Sequence, residues 1–208
     1  MHRRTLLAAA AAIALLPALP AFAQRALTAE EEQLIRDIGA YNSSIRTMAG
    51  RFLQIDTNGE RIEGTFFLER PGKIRFRYNP PSKEEIISVG RGFYVINREE
   101  KTKYAYPQNK IPLRQFLTDE IDFFSSNIIG FQNADGYATI TIADETPAGL
   151  VQVSLVFDNS TYDLVQWTLI EPSGSELTFS AYDVQKNVEI PRGYFYIDPT
   201  YTAVDPAA

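Results

Sequence analysis

Along the chain, apolar positions first recur at helical spacing and then switch to alternation. Leu34, Ile35, Ile38, Tyr41 and Ile45 fall on one stripe, which predicts an amphipathic helix. Thr28 stands where an N-cap belongs, and Glu30, Glu31 and Glu32 complement the helix dipole in the first turn. From residue 47 the pattern is strand-like. Strands are predicted over 47–56, 61–70, 73–79, 84–90 and 93–97, punctuated by Thr57-Asn58-Gly59, Pro71-Gly72, Pro80-Pro81 and Gly90-Arg91-Gly92. Connections this short imply an antiparallel meander.

Residues 107–126 (PQNKIPLRQFLTDEIDFFSS) break the rhythm. Leu113, Phe116, Leu117, Ile121 and Phe124 stand at helix-like intervals, which predicts one or two short helices packed on the sheet or over an opening in it. Strands resume over 127–133, 136–143, 149–157, 162–171 and 176–186. Their turns fall at Asp135-Gly136, Asp158-Asn159 and Pro172-Ser173-Gly174, and Tyr194 to Ile197 reads as a last edge strand. About eleven strands with two helical insertions, and neither linker nor repeat, fit a strongly bent sheet or barrel.

The first residues change the compartment. A basic start (His2, Arg3, Arg4), an apolar run from Leu6 to Leu16 and Ala21-Phe22-Ala23 have the layout of a cleavable export signal. The apolar run, broken by Pro17 and Pro20, falls short of the roughly 20 residues that span a bilayer. Residues 1–23 are therefore expected to be removed, leaving 24–208 as a single domain beyond the inner membrane. Arg3-Arg4 leaves the choice between the general and the twin-arginine route open. There is no cysteine, so neither a lipid anchor on a first mature cysteine nor a disulfide is expected.

Charge and composition then narrow the chemistry. Without Arg3 and Arg4, 18 basic side chains face 26 acidic ones, a net charge near −8 that argues against nucleic acid. The one histidine, His2, lies in the leader. A mature chain with neither histidine nor cysteine excludes Ser-His and Cys-His catalysis and all imidazole or thiolate metal sites. The carboxylate pairs Glu99-Glu100 and Asp119-Glu120 read as solvated charge, and Gly90-Arg91-Gly92 reads as a hairpin turn, not a phosphate loop. No catalytic residue, cofactor or metal is expected.

The remaining signal is the stretch Thr65 to Pro81, TFFLERPGKIRFRYNPP. Two aromatic-rich strands meet at Pro71-Gly72, with Arg70 just before the turn. They predict a wide apolar wall with one charged group at its end that needs acceptors or water. Arg75 and Arg77 alternate with Ile74 and Phe76, which places them on the outer face as solvated strand surface.

These residues resemble a known family. Met48 to Gln54 (MAGRFLQ), Gly64 to Phe76 (GTFFLERPGKIRF), and the hairpin series Leu155-Val156-Phe157, Leu164-Val165-Gln166-Trp167 and Leu177-Thr178-Phe179 are similar, in order and spacing, to the periplasmic outer-membrane lipoprotein carrier family, LolA. The resemblance implies a mainly β fold with a helical lid (α+β). In it, an incomplete antiparallel barrel of about eleven strands, covered by an N-terminal helix and short central helices, encloses a hydrophobic cavity. It implies a monomeric carrier that takes acylated lipoproteins from an inner-membrane ABC-type exporter to an outer-membrane acceptor lipoprotein, or to the outer membrane directly. An alternative keeps the fold but makes it a lipid- or lipoprotein-sensing regulatory domain.

Carried onto this chain, the family's functional arginine is Arg70, a latch that bonds lid carbonyls when the cavity is empty. Arginine suits the task, because its planar fork offers five donors and stays charged. The expected lining is Phe52, Phe66, Phe67 and Leu68 from the first strands and Ile74 and Phe76 from the returning one. Ile87, Val89, Tyr94, Ile96 and Tyr104 follow from the next strands, with Leu113 and Phe116 from the lid. The lid helix carries Leu34, Ile35, Ile38 and Tyr41. Where the family often has Phe and Trp, this chain has Ile74 and Phe76. Burying one methylene stabilises by about 0.8 kcal/mol, so a carrier that must release acyl chains needs a loose fit, which rigid rings provide.

Overall fold

The computed structural model describes residues 26–112, 114–146 and 149–204. Helix α1 (Ala29–Ser44) begins as expected: Thr28 Oγ1 accepts from Glu31 N–H, and the Glu31 carboxylate accepts from Thr28 N–H, a complete capping box. The meander that follows comprises β1 (Thr47–Asp56), β2 (Arg61–Glu69), β3 (Lys73–Tyr78), β4 (Glu84–Val89), β5 (Gly92–Asn97) and β6 (Thr102–Pro107). Three single-turn 3-10 helices come next, at Gln108–Lys110, Arg114–Leu117 and Phe123–Ser125. The second meander is β7 (Asn127–Ala134), β8 (Tyr137–Thr146), β9 (Gly149–Asp158), β10 (Leu164–Ile170) and β11 (Glu176–Lys186), and β12 (Thr202–Val204) closes the chain.

All twelve strands form one sheet in the order β12-β6-β5-β4-β3-β2-β1-β11-β10-β9-β8-β7. The sheet is an open, incomplete barrel, and its antiparallel pattern breaks only at β12, which runs parallel to β6. The strand count is twelve where about eleven were expected. The difference has three parts. β6 was missed, because Thr-Lys-Tyr-Ala-Tyr-Pro shows little alternation and its last four residues are exposed. The edge strand expected over Tyr194 to Ile197 is a turn and irregular chain, and the true terminal strand, β12, lies further on.

Two cores flank the bend. In the first, Ile35 and Ile38 of α1 pack with Phe116, Ile121 and Phe123 onto Ile140 and Ile142 of β8 and Val153, Leu155 and Phe157 of β9. Leu34 borders this core, half-buried. The central stripe differs from expectation at its end, where Phe123 is buried and Phe124 is exposed. A 3-10 turn advances 120° per residue instead of 100°, which shifts the inward positions.

The second core is aromatic: Phe52, Phe66, Tyr78 and Phe179. Phe52 stacks on Phe179 with ring centroids 4.7 Å apart, and meets Phe76 and Tyr78 edge-on at 5.6 and 5.2 Å. Gly64 makes room for it. A Cβ at Gly64 would stand 2.5 Å from the Phe52 ring and 2.3 Å from Arg77 O, so no side chain fits there.

Candidate functional site

Between the two cores lies a cavity of about 300 Å³. Its walls come from alternate residues of the bent sheet: Met48 and Gln54 of β1, Phe66 and Leu68 of β2, Ile74, Phe76 and Tyr78 of β3, Ile86 and Phe93 of β4 and β5, Trp167 and Leu169 of β10, and Leu177, Phe179 and Ala181 of β11. Leu164, Val165 and Gln166 add the start of β10. Ile111, Pro112, Phe116 and Leu117 roof it from the segment between β6 and β7, and Asn42 reaches it from the last turn of α1.

Polar groups on this wall are engaged with the protein. Asn42 Nδ2 donates to Ile38 O and Tyr162 O at 2.9 and 2.8 Å. Tyr78 O–H donates to Gln54 Oε1 at 2.6 Å, and burial raises the Tyr78 pKa, with nearby Glu84 adding to the effect. Gln166 Oε1 accepts from Ser180 Oγ at 3.4 Å. What remains is a greasy surface fit for hydrocarbon.

Arg70 is the charged group at the edge of this cavity, and it is 5% exposed. Its Nε donates to Phe116 O at 2.9 Å, and Nη1 donates to Ile45 O at 2.5 Å. One acceptor lies in the roof and the other just past α1, so a single guanidinium ties both to the β2–β3 turn. The main chain adds Arg70 N–H to Arg46 O at 2.8 Å and Gly72 N–H to Leu117 O at 2.7 Å. No carboxylate pairs with Arg70 among the described residues' ion pairs. Burial, with the charge of Arg46 second, pushes its pKa down from 12.5 to about 10. It is charged at neutral pH and, among the described residues, is held by carbonyl dipoles.

Residues 43–198 match the model of the family described as outer membrane lipoprotein carrier protein LolA. The chain belongs to this family. Two proteins named outer-membrane lipoprotein carrier protein are similar to it: one from Alkalilimnicola ehrlichii, 32% identical over 76 residues, and one from Methylococcus capsulatus, 33% identical over 88 residues. These matches cover 34% and 39% of this chain, and 36% and 40% of the relatives' own lengths. Among solved structures, an uncharacterized conserved protein from Thermus thermophilus shares the fold with a TM-score of 0.51 at 7% identity, over 84% of this chain and 98% of that one.

Of the lining residues expected for a LolA-family cavity, Phe66, Leu68, Ile74, Phe76 and Phe116 stand on it, with Arg70. Phe52 lies behind the wall as a buttress and is fully buried. Leu113 lies outside the described residues, as does the expected signal peptide. The register explains the others. Phe66, Phe76, Ile86 and Val95 are paired in a row across β2 to β5, and so lie on one face. Phe67, Arg75, Ile87 and Tyr94 form the next row, on the opposite face. Ile96 and Val89 share that outer face. Tyr104 pairs with Val95 on the inner face, but it stands beyond the mouth and is 37% exposed.

The outer face is apolar because the chain's last part covers it. The Tyr194 ring packs on Phe67 at 4.2 Å, and Arg75 lies over the Tyr194 ring while donating to Tyr194 O. Arg75 is accordingly no solvated surface group: it pairs with Glu85, which is 3% exposed and also faces Arg98 at 3.5 Å. Arg77 does remain exposed. Sequence reading missed several cavity residues, among them Met48, Tyr78, Ile86 and Phe93; of the others, Trp167, Leu169, Leu177, Phe179 and Ala181 were legible as inward alternation on β10 and β11.

The helix stripe meets a different neighbour from the aromatic wall. Leu34, Ile35 and Ile38 pack on β8 and β9, and Tyr41 O–H donates to Asp163 Oδ1 at 2.8 Å. Lys186 Nζ donates to the same carboxylate, at 2.8 and 2.9 Å, and to Tyr41 Oη at 2.8 Å.

Proposed function

We propose that this protein is a periplasmic carrier that shields the acyl chains of lipoproteins released from the inner membrane and delivers them to the outer membrane. The observation that carries the reading is an apolar, aromatic cavity edged by a buried arginine that grips two carbonyls, on a chain of the LolA family. Its cargo is an acylated lipoprotein, its donor an inner-membrane ABC-type exporter, and its recipient an outer-membrane acceptor or the membrane itself.

The roof argues for movement. Ile111, Pro112, Phe116 and Leu117 cover the cavity, and Arg70 holds that cover through Phe116 O. Cargo therefore enters by pushing the roof away. Arg70 then loses Phe116 O, and a buried cation stripped of its acceptors is costly. The loaded form is held open against that cost, which favours hand-over to a better acceptor and resealing.

Arg70→Leu removes the latch while keeping an apolar side chain. In a vesicle assay with acylated peptide and purified protein, this variant should stay folded and take up cargo but pass it on at least about a hundredfold more slowly, the scale of two hydrogen bonds to a charged group. Normal delivery by Arg70→Leu would overturn the assignment.

A further inference from the structure

Arg70 holds one end of the roof, and a separate contact holds the other. Gly72 N–H donates to Leu117 O at the far end of the roof segment, while Gly72 O accepts from the side chain of Gln108 at its near end, 2.6 Å from Nε2. The second proton of that amide goes to Ser88 Oγ, 2.5 Å away. Ser88 is completely buried, and its hydroxyl lies 3.2 Å from Gly72 O and 3.4 Å from Gly92 O, either of which can accept from it. The main chain of Gln108 is itself anchored, its N–H donating to Arg91 O at 2.9 Å.

The geometry depends on Gly72. With φ at +78° it occupies the left-handed region, and its N–H and C=O serve the two ends of the roof segment. Between those ends stand Ile111, Pro112, Phe116 and Leu117, the residues that cover the cavity. The roof is thus cinched at both ends to one residue, through the peptides on either side of Gly72, and Arg70 reaches only the Phe116 end.

We propose that Gln108 is a second latch, a positioning residue that clamps the near end of the roof to Gly72 and Ser88 and sets how fast the cavity opens. The two latches differ in kind. Gln108 is neutral and half-exposed, so water competes for its bonds; Arg70 is charged and buried, and its release waits on displacement of the roof. Gln108 sets the rate of opening for entry and exit alike, and Arg70 governs delivery. This inference rests on the carrier reading and concerns the gating of the same cavity.

The test compares wild type with Gln108→Leu, which removes both donors, and with Gln108→Glu, which keeps the shape and, when ionised, donates nothing. Stopped-flow uptake and release of the fluorescent probe N-phenyl-1-naphthylamine give the opening rate. Both variants should speed uptake and release of this small probe together by about tenfold, leaving the affinity nearly unchanged, as expected for a pair of neutral hydrogen bonds that the closed roof makes over the empty and the probe-filled cavity alike and that break as it opens. Amide exchange without any ligand provides the second measurement. Exchange at Ile111 and at 114–117 should rise about tenfold in the variants, while that of α1 stays as in wild type. Probe rates and roof exchange both within twofold of wild type would overturn the second latch, and so would a uniform rise in exchange across the sheet. A wild-type protein whose bound probe acylated peptide does not displace would sink the carrier reading. The exchange result would still decide the latch.

Discussion

Single residues on this sheet do different work according to which side of the backbone they occupy. Phe52 and Phe76 are both large rings on the inner face, yet only Phe76 meets the cavity, while Phe52 is enclosed by Phe76, Tyr78 and Phe179. Truncating a fully enclosed phenylalanine leaves a void that the surrounding rings cannot fill. Phe52→Ala should therefore lower stability by about 3–5 kcal/mol, measured by denaturant unfolding. A loss below about 1 kcal/mol would mean that the aromatic cluster repacks freely. Arg70 was legible from its place before Pro71-Gly72, but its partners were not, because Ile45 O and Phe116 O are main-chain atoms that any residue would supply. Glu85 was not legible either. Nothing in Glu84-Glu85 distinguishes the exposed carboxylate from the one enclosed between Arg75 and Arg98.

At the level of elements, α1 is fastened and the roof is merely latched. Asn42 binds Tyr162 O, Ser43 Oγ accepts from Ile121 N–H at 2.8 Å, and Lys186 joins Tyr41 to Asp163. Hydrogen bonds, first to Asp163 and then to Tyr41, raise the Lys186 pKa above its usual 10.5. A base whose pKa is raised by folding stabilises the protein fully below its unfolded pKa, and that contribution disappears as the pH climbs past the raised value. Lys186→Met should thus cost stability at neutral pH and show a shallower loss than wild type as the pH rises above the usual lysine pKa of 10.5. Parallel alkaline unfolding curves for the two proteins would refute this. The runs Ile86-Ile87-Ser88-Val89 and Phe93-Tyr94-Val95-Ile96 pose the opposite problem for sequence reading. They are apolar on both faces, so alternation could not say which residues point inward.

Taken whole, the molecule is a bent twelve-stranded sheet whose two ends, β12 and β7, do not pair, with the gap on the cavity side crossed by the three 3-10 turns. Opening the roof leaves both meanders intact, since the roof connects to them through side-chain and turn contacts and not through ladder bonds. Cargo should therefore deprotect residues 108–125 while α1 keeps its amide protection, readable by hydrogen exchange with and without acylated peptide. Faster exchange throughout α1 on loading would show instead that helix and roof move as one lid. The convex side, strapped by Tyr194 over Phe67 and Arg75, is expected to stay closed throughout.

Patterns along the chain were enough for the capped first helix, ten of the twelve strands and their turns, the absence of histidine and cysteine after residue 2, and the position of Arg70 at the end of an aromatic hairpin. All of these follow from patterns within a few residues of one another: spacing, capping and turn chemistry. It took the folded sheet to show which face of β4 and β5 lines the cavity, that Phe67, Ile87 and Tyr94 belong to the outer side, and that one glycine residue holds both ends of the roof. The physical reason is the same in each case. Those outcomes depend on chain that returns from far along the sequence, residues 191–196 over the convex face and 108–117 over the mouth, and an apolar strand carries no record of what will cover it.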